Sequence, residues 1–395
     1  MIQVVEITAY RVKIPLKKEI RHASHRRTET ENILVECKLS DKTVGFGEGV
    51  PREYVTGESA ESSIGILKQA NLKSHLSKCT SFPEAVEMIR QITMPAQKGD
   101  DRSCQGNAAR CALELALLDA YGKSFGEPLS KVTQILTPEL YEPKDKIQYS
   151  GAITSTQGWK LNISSWKMRL YGFRQLKVKV GIEGQNDVER LRKIRSRVGK
   201  KMDIRIDANE AWTPEEALER IHELLPFNIT SVEQPVPHER IARWGEIRKS
   251  VEVPIMLDES LCSMKDAEQA LAQNWGDLYN IRLSKCGGFI PSLLLARFAQ
   301  QNKLGYQLGC QVGETALLSA AGRHFGCSVR AIRYREGSYD SHLVTEALGT
   351  SDLTFGWGGW AKRLPLDGLS GGLGIDIDPV ALSRVSLGKE VFYQA

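Results

Sequence analysis

Six charged residues recur along the middle of the chain at an almost constant step. Lys179, Asp207, Glu233, Asp258, Lys285 and Glu314 are separated by 28, 26, 25, 27 and 29 residues. Each stands at or just past the end of a short strand-like run. A step of that size is about one strand plus one helix, and in a closed parallel barrel such strand ends converge at the C-terminal mouth. Asp207, Glu233 and Asp258 then meet on adjacent strands. Three clustered carboxylates repel and raise one another's pKa unless a cation lies among them. All-oxygen ligation with open water positions suits a hard divalent ion, Mg²⁺, and admits Mn²⁺. Lysines flank the acids, with Lys177 and Lys179 on one side and Lys285 on the other. Taken singly, each of these charges reads as an ordinary surface residue. Their recurrence in phase with the fold is what points to chemistry.

Lys177 and Lys179 lie in Gln175–Gly181, which alternates polar and apolar and stops at glycine. On a strand they share one face. A sheet edge blunted by lysines has the same pattern. In a site, a neighbouring cation and partial burial lower a lysine's pKa, which a base must have done to it to act near neutrality.

The elements that must position these residues follow. Residues 1 to about 55 alternate like antiparallel strands, with a turn at Ser40-Asp41-Lys42. Helical periodicity then takes over to about 130. Its strongest segment, Ala108–Gly122, is apolar almost all round and reads as buried, with Gly122 as its stop. Beyond Pro128, strand-like and helix-like runs alternate. The strands are Ile147–Ala152, Leu176–Val180, Asp203–Ile206, Thr230–Glu233, Ile255–Leu257, Leu278–Leu283, Tyr306–Leu308 and Ala331–Tyr334. Thr213-Pro214-Glu215-Glu216 carries a cap, a first-turn proline and first-turn acids. Eight such units predict an α/β barrel preceded by an α+β domain.

Composition excludes several classes. The 395 residues hold 53 basic and 48 acidic side chains, a net charge of +5. That near balance argues against nucleic acid and anionic membranes as partners. The eight cysteines form no C-x-x-C pair. They fit reduced, mostly buried thiols and a cytoplasmic location. Neither a signal peptide nor a membrane-spanning run is visible.

Several ordered motifs resemble the enolase superfamily, and within it the muconate lactonizing enzyme subgroup of the mandelate racemase/muconate lactonizing enzyme family. They are Lys177-Val178-Lys179, Asp207-Ala208-Asn209, Glu233-Gln234-Pro235, Asp258-Glu259-Ser260 and Lys285-Cys286-Gly287-Gly288. Ala112-Leu113-Glu114 through Gly126-Glu127-Pro128-Leu129 resembles the end of that family's capping domain. The resemblance implies a modified TIM barrel, (β/α)₇β, with an α+β N-terminal capping domain. The expected division is residues 1–130 for the cap, 131–366 for the barrel and 367–395 for a segment packing back on the cap. It implies Mg²⁺ on Asp207, Glu233 and Asp258, with Lys179 and Lys285 as acid/base groups on the two faces of a small-molecule carboxylate. Lys177 stands beside Lys179, Asn209 and Glu259 orient ligands, and the assembly is a homo-oligomer. The mandelate racemase subgroup uses a histidine after the seventh strand. Gly309–Glu314 holds none, which argues against that subgroup.

The expected reaction is removal of a proton alpha to a carboxylate, with a muconate cycloisomerase-like outcome. A racemase, an epimerase or an o-succinylbenzoate synthase-like dehydratase keeps the same site. Two opposed lysines are needed for racemisation, while one suffices for syn chemistry. A non-catalytic acid-binding barrel is the rival from another class, and it has no need of two opposed bases. Glu314 either binds substrate or hydrogen-bonds Lys285. The basic loop around Arg21, His22, His25, Arg26 and Arg27, and the stretch Pro51–Glu58 with Tyr54, are either solvated surface or a lid for a second carboxylate. After the eighth strand, Glu336-Gly337-Ser338-Tyr339-Asp340 has one acid, Asp340, where dipeptide epimerases of the subgroup carry Asp-x-Asp. That departure counts against a dipeptide substrate. No function attaches to Phe355–Trp360.

Overall fold

The structure, a computed structural model, describes residues 1–21, 26–365 and 371–395. His22 and His25 lie outside these residues. The chain begins with three antiparallel strands, β1 (Val4–Arg21), β2 (Arg26–Leu39) and β3 (Val44–Gly49). Alternation buries one face, including Ile33, Val35 and Cys37 of β2, against the helix Asn107–Phe125. Contact there is closer than side chains permit. A Cβ at Gly47 would stand 2.1 Å from the Ala112 carbonyl oxygen, so the strand lies directly on the helix backbone. Gly122 does not end that helix, which runs on to Phe125. Its glycine answers a different need, because a Cβ there would meet the Gly372 backbone at 2.7 Å.

After a short strand, β4 (Lys146–Gln148), comes the barrel. Its strands are β5 (Gly151–Ile153), β6 (Gln175–Lys179), β7 (Asp203–Asp207), β8 (Ile229–Glu233), β9 (Ile255–Leu257), β10 (Leu278–Ile281) and β11 (Gly305–Leu308). They form one parallel sheet in chain order, with helices between them. The helix Pro214–Leu224 carries the anticipated proline start, and Thr213 with Glu216 forms a capping box. Residues 333–336 close the ring. Arg333 N and Leu308 N donate across to Tyr306 O and Tyr334 O, Glu336 N donates to Leu308 O, and Ser150 N donates to Arg335 O at 2.8 Å.

Two expected strands shift. The run Ile147–Ala152 splits, because β4 leaves the barrel to pair with β12 (Trp360–Lys362) and the barrel strand starts at Gly151. The closing stave lies two residues later than Ala331–Tyr334. Ala331 has φ +58°, which a strand does not accommodate. The last strand, β13 (Ser386–Gln394), pairs antiparallel with β1 and completes the cap sheet in the order β13-β1-β2-β3. The Phe355–Trp360 segment has a packing role. Phe355 sits against Tyr149, Phe173 and Tyr339, with ring centroids 6.0, 5.7 and 5.1 Å away. The architecture is an α+β cap on a modified (β/α)₇β barrel.

Candidate active site

The strand ends open into a cavity of about 310 Å³ at the C-terminal mouth. Lys177, Lys179, Asp207, Asn209, Arg282 and Glu314 line it from the barrel, Glu336 to Asp340 from the closing stave, and Ile20, Arg52, Tyr54 and Val55 from the cap. A larger open groove of about 590 Å³ runs along Gly181–Val188 and holds none of the strand-end charges.

Lys177 and Lys179 project from β6 on the same side, as alternation requires. They are not equivalent. Lys177 Nζ lies 2.8 Å from Glu336 Oε2, 3.3 Å from Asp207 Oδ2 and 3.8 Å from Glu233 Oε1. Burial pushes its pKa down, but Glu233, Glu336 and Asp207 outweigh burial and hold it above the ordinary lysine value. Lys179 has its pKa lowered, first by burial, with Lys177 and Arg282 acting in the same direction against Asp207. The permanently charged partner and the more easily neutralised one stand two residues apart.

Asp207 and Glu233 end adjacent strands and are buried. Asn209 N donates to Asp207 Oδ1 at 3.0 Å from a left-handed turn, φ +44°. Asn280 Nδ2 donates to Glu233 Oε1 at 2.7 Å. Burial and the nearby Asp207 push Glu233 up to about 7. Asp207 Oδ2 and Glu233 Oε2 are buried without a hydrogen-bond partner. Hard oxygens that make no hydrogen bond, one of them ion-paired with Lys177 at 3.3 Å, fit a divalent cation. Asp258 differs, since Lys285 takes its Oδ1 at 2.9 Å and Arg282 takes its Oδ2. Among the described residues, the trio of candidate ligand atoms lying within 4.8 Å of one another is Glu210, His238 and Glu239. The three strand-end acids are spread more widely, with Lys177 and Arg282 reaching between them. Glu259, next to Asp258, is buried and pushed up to about 8 by burial, Glu210 and Asp207.

Lys285 is not where an acid/base group has to be. Its side chain is fully buried, and Nζ donates to Asp258 O at 2.6 Å, Asp258 Oδ1 at 2.9 Å and Asn280 O at 2.9 Å. Those three acceptors use all three ammonium protons. Lys285 therefore ties β10 to the end of β9 beneath the cavity and does not line it. The cation that enters the cavity from β10 is Arg282. Alternation would have found it, because Arg282 is two residues past Asn280 and shares its inward face.

Glu336 is the other residue that strand-end spacing missed. It accepts from Lys177 at 2.8 Å and pairs with the fully buried Arg205 of β7. The Arg205 guanidinium also lies 4.7 Å from the Tyr334 ring centroid and donates to Ser150 Oγ at 3.1 Å. Glu314 accepts from Gln311 N at 2.6 Å, and burial pushes it up to about 8. With the Lys285 ammonium saturated elsewhere, a hydrogen bond from Lys285 to Glu314 is ruled out. Tyr54 lies in the cavity wall with the Arg27 guanidinium 5.2 Å over its ring. Asp340 Oδ1 accepts from Ser319 Oγ at 3.1 Å, while its buried Oδ2 has no hydrogen-bond partner.

A barrel, a cap and strand-end acids and lysines around one cavity define a class. Residues 164–381, more than half of the chain, match the family described as enolase C-terminal domain-like. The chain belongs to that family, within the enolase superfamily. Among its relatives, the N-succinyl-L-Arg/Lys racemase of Bacillus cereus is 27% identical over 98% of this chain and 99% of its own. A dipeptide epimerase of Cytophaga hutchinsonii, solved with Mg and the dipeptide D-Ala-L-Val, superposes with a TM-score of 0.81 at 25% identity, covering 99% of this chain and 100% of that one. A muconate lactonizing enzyme of Pseudomonas fluorescens, with muconolactone, gives a TM-score of 0.81 at 21% identity over 97% of this chain and 99% of that one. At that identity it shares the fold alone. The relatives favour the racemase and epimerase side of the family over the cycloisomerase outcome expected from the motifs. Among the described residues, no helix is long and apolar enough to cross a membrane.

Proposed function

We propose that this chain removes the proton alpha to the carboxylate of an amino-acid-derived substrate, with Lys179 as the base and Mg²⁺ held by Asp207, Glu233 and Asp258. The observation that carries the reading is the asymmetry of the β6 lysines. Lys179 faces the cavity with a lowered pKa, while Lys177 is fixed as a cation by Glu336, Asp207 and Glu233. A base must shed its proton before it can take another. A positioning cation must keep its proton, and Lys177 is placed to meet the substrate carboxylate. Mg²⁺ supplies a Lewis acid for the carboxylate oxygens on which negative charge develops. One charge pair at about 4 Å contributes roughly 4 kcal/mol at an effective dielectric near 20, so Lys177 alone offsets a useful part of the barrier.

The names of the relatives support an acylated amino acid or dipeptide as the class of substrate that loses its α-proton. Asp340 supports it too: it lines the cavity, and its carboxylate has one oxygen, Oδ2, with no hydrogen-bond partner, which a turn of the side chain would bring to a substrate N–H. Tyr54 and Arg52 close the cavity from the cap and bound the substrate's size. The test is hydrogen exchange in D₂O with Mg²⁺, using N-acylated amino acids, dipeptides and dicarboxylates. The wild type should incorporate deuterium at the α-carbon of the first two groups. Lys179→Ala should abolish incorporation while titration calorimetry still shows Mg²⁺ binding. Exchange that survives in Lys179→Ala removes Lys179 as the base. Exchange confined to dicarboxylates restores the cycloisomerase outcome.

A further inference from the structure

The two walls of the site are not chemically alike. In the ring formed by seven strands and the closing stave, β6 and β10 are four staves apart and so face each other. Lys179 ends β6, and Arg282 follows Ile281, the last residue of β10. Both line the same cavity. Lys285, the lysine expected on that wall, is sealed beneath it with every ammonium proton committed. Its three acceptors include two backbone carbonyls, so swinging into the cavity would leave the buried Asp258 O, Asp258 Oδ1 and Asn280 O without this donor. An arginine side chain has five N–H donors and no acceptor. Arg282 is further anchored on Asp258 Oδ2 and lies 3.8 Å from Glu233 Oε1.

We infer that proton traffic in this site runs through one face only: Lys179 both removes and returns protons, and Arg282 makes the opposite face incompetent for either. The inference rests on Lys179 being the base. The α-carbon C–H bond breaks, an N–H bond forms on Lys179, and the electron pair passes into the enolate. Two outcomes then balance. The Lys179 ammonium returns its proton to the same face and restores the starting configuration. Alternatively, the pair forms a carbon–carbon double bond and expels a β-oxygen substituent on that face, which leaves with the Lys179 proton. Inversion needs a donor on the face opposite Lys179, where β10 places Arg282. The chain thus keeps its relatives' first step and differs in what can follow. The substrate it converts carries a β-leaving group syn to the α-proton. A simple N-acyl amino acid or dipeptide is deprotonated and reprotonated without net change.

The experiment uses Mg²⁺-loaded wild-type enzyme in D₂O with the L and D forms of N-succinyl-arginine, and with alanyl-valine of both configurations at valine. Deuterium uptake is read by mass spectrometry and configuration by chiral chromatography. One antipode should exchange faster than the other by at least about a hundredfold, the usual contribution of one positioned base. Its configuration should be retained through many exchanges. Arg282→Lys, checked for folding by circular dichroism, should bring the two rates closer and yield the opposite enantiomer. A wild type that converts either antipode to a racemate overturns the inference and leaves the Lys179 reading standing. Exchange of neither antipode of either probe, in either protein, overturns both. Because the wild type alone decides the matter, a misfolded variant does not block the test.

Discussion

Replacing Glu336 with glutamine removes one negative charge from between two buried cations and leaves the shape almost unchanged. Glu336 lies 2.8 Å from Lys177 Nζ and pairs with Arg205, whose side chain is 0% exposed. Burial alone would push its carboxyl up, but Lys177 and Arg205 outweigh burial and hold it at about 2. Against an ordinary value of 4.5, that difference corresponds to about 3 kcal/mol, at about 1.4 kcal/mol per tenfold. Unpairing a buried charge independently costs about 3–5 kcal/mol. The two agree, so Glu336→Gln should lose about 3 kcal/mol at pH 7. The pH window follows from the sign. A carboxyl whose folded pKa is depressed stabilises above its unfolded value, and that contribution disappears as pH falls from about 4.5 toward 2. Urea denaturation followed by tryptophan fluorescence at pH 7 and at steps below 5 should show wild type and variant converging in acid. A loss under about 1 kcal/mol at pH 7, or curves that stay parallel into acid, would refute the buried charge triad.

Further predictions concern the other cations, the cavity wall and the cap. Lys285→Met should destabilise by about 3–5 kcal/mol, because Asp258 loses a buried partner. Measured below its new midpoint, it should still exchange the substrate α-proton, which separates a strut from a base. Asp340→Asn should raise KM for N–H-bearing substrates roughly ten- to hundredfold with a smaller change in kcat, the worth of one hydrogen bond to a charged group. Gly47→Ala should destabilise by about 3 kcal/mol in the same denaturation assay, since an added methyl would meet the Ala112 carbonyl oxygen at 2.1 Å.

Much of this was legible in the residues themselves. The barrel announces itself because each βα unit has similar length, so side chains at strand ends recur at a near-constant step. Asp207, Glu233 and Asp258 could be placed on consecutive strand ends for that reason, and Lys179 opposite β10. The step is too coarse to separate neighbours. Arg282 and Lys285 are three residues apart at one strand end, and spacing alone admits either. Their fates diverge because Arg282 keeps the inward register of Asn280, while Lys285 lies past the turn and folds back onto carbonyls. Glu336 was hidden by a similar slip. A closing stave assigned to 331–334 leaves it in a loop, whereas the left-handed backbone at Ala331 moves the stave on and puts Glu336 at its end. Glycines in β3 gave no hint of chemistry, and they decide how closely the cap's sheet meets its helix.

The closing stave also bears on the order in which the barrel assembles. Arg205 and Lys177 project from neighbouring strands, and their shared counter-charge arrives some 130 residues later in the chain, since Glu336 is 131 residues past Arg205. An intermediate that has stacked β5 to β8 holds Lys177 beside Asp207 and Glu233, but leaves the buried Arg205 without its carboxylate. Water must stay among those strands until the ring shuts. Closure then brings Glu336 against Arg205 and Lys177. Partial barrels of this chain lack that contact, and contacts of such long loop length form slowly. A site residue thus doubles as a latch between the early strands of the barrel and its closing stave.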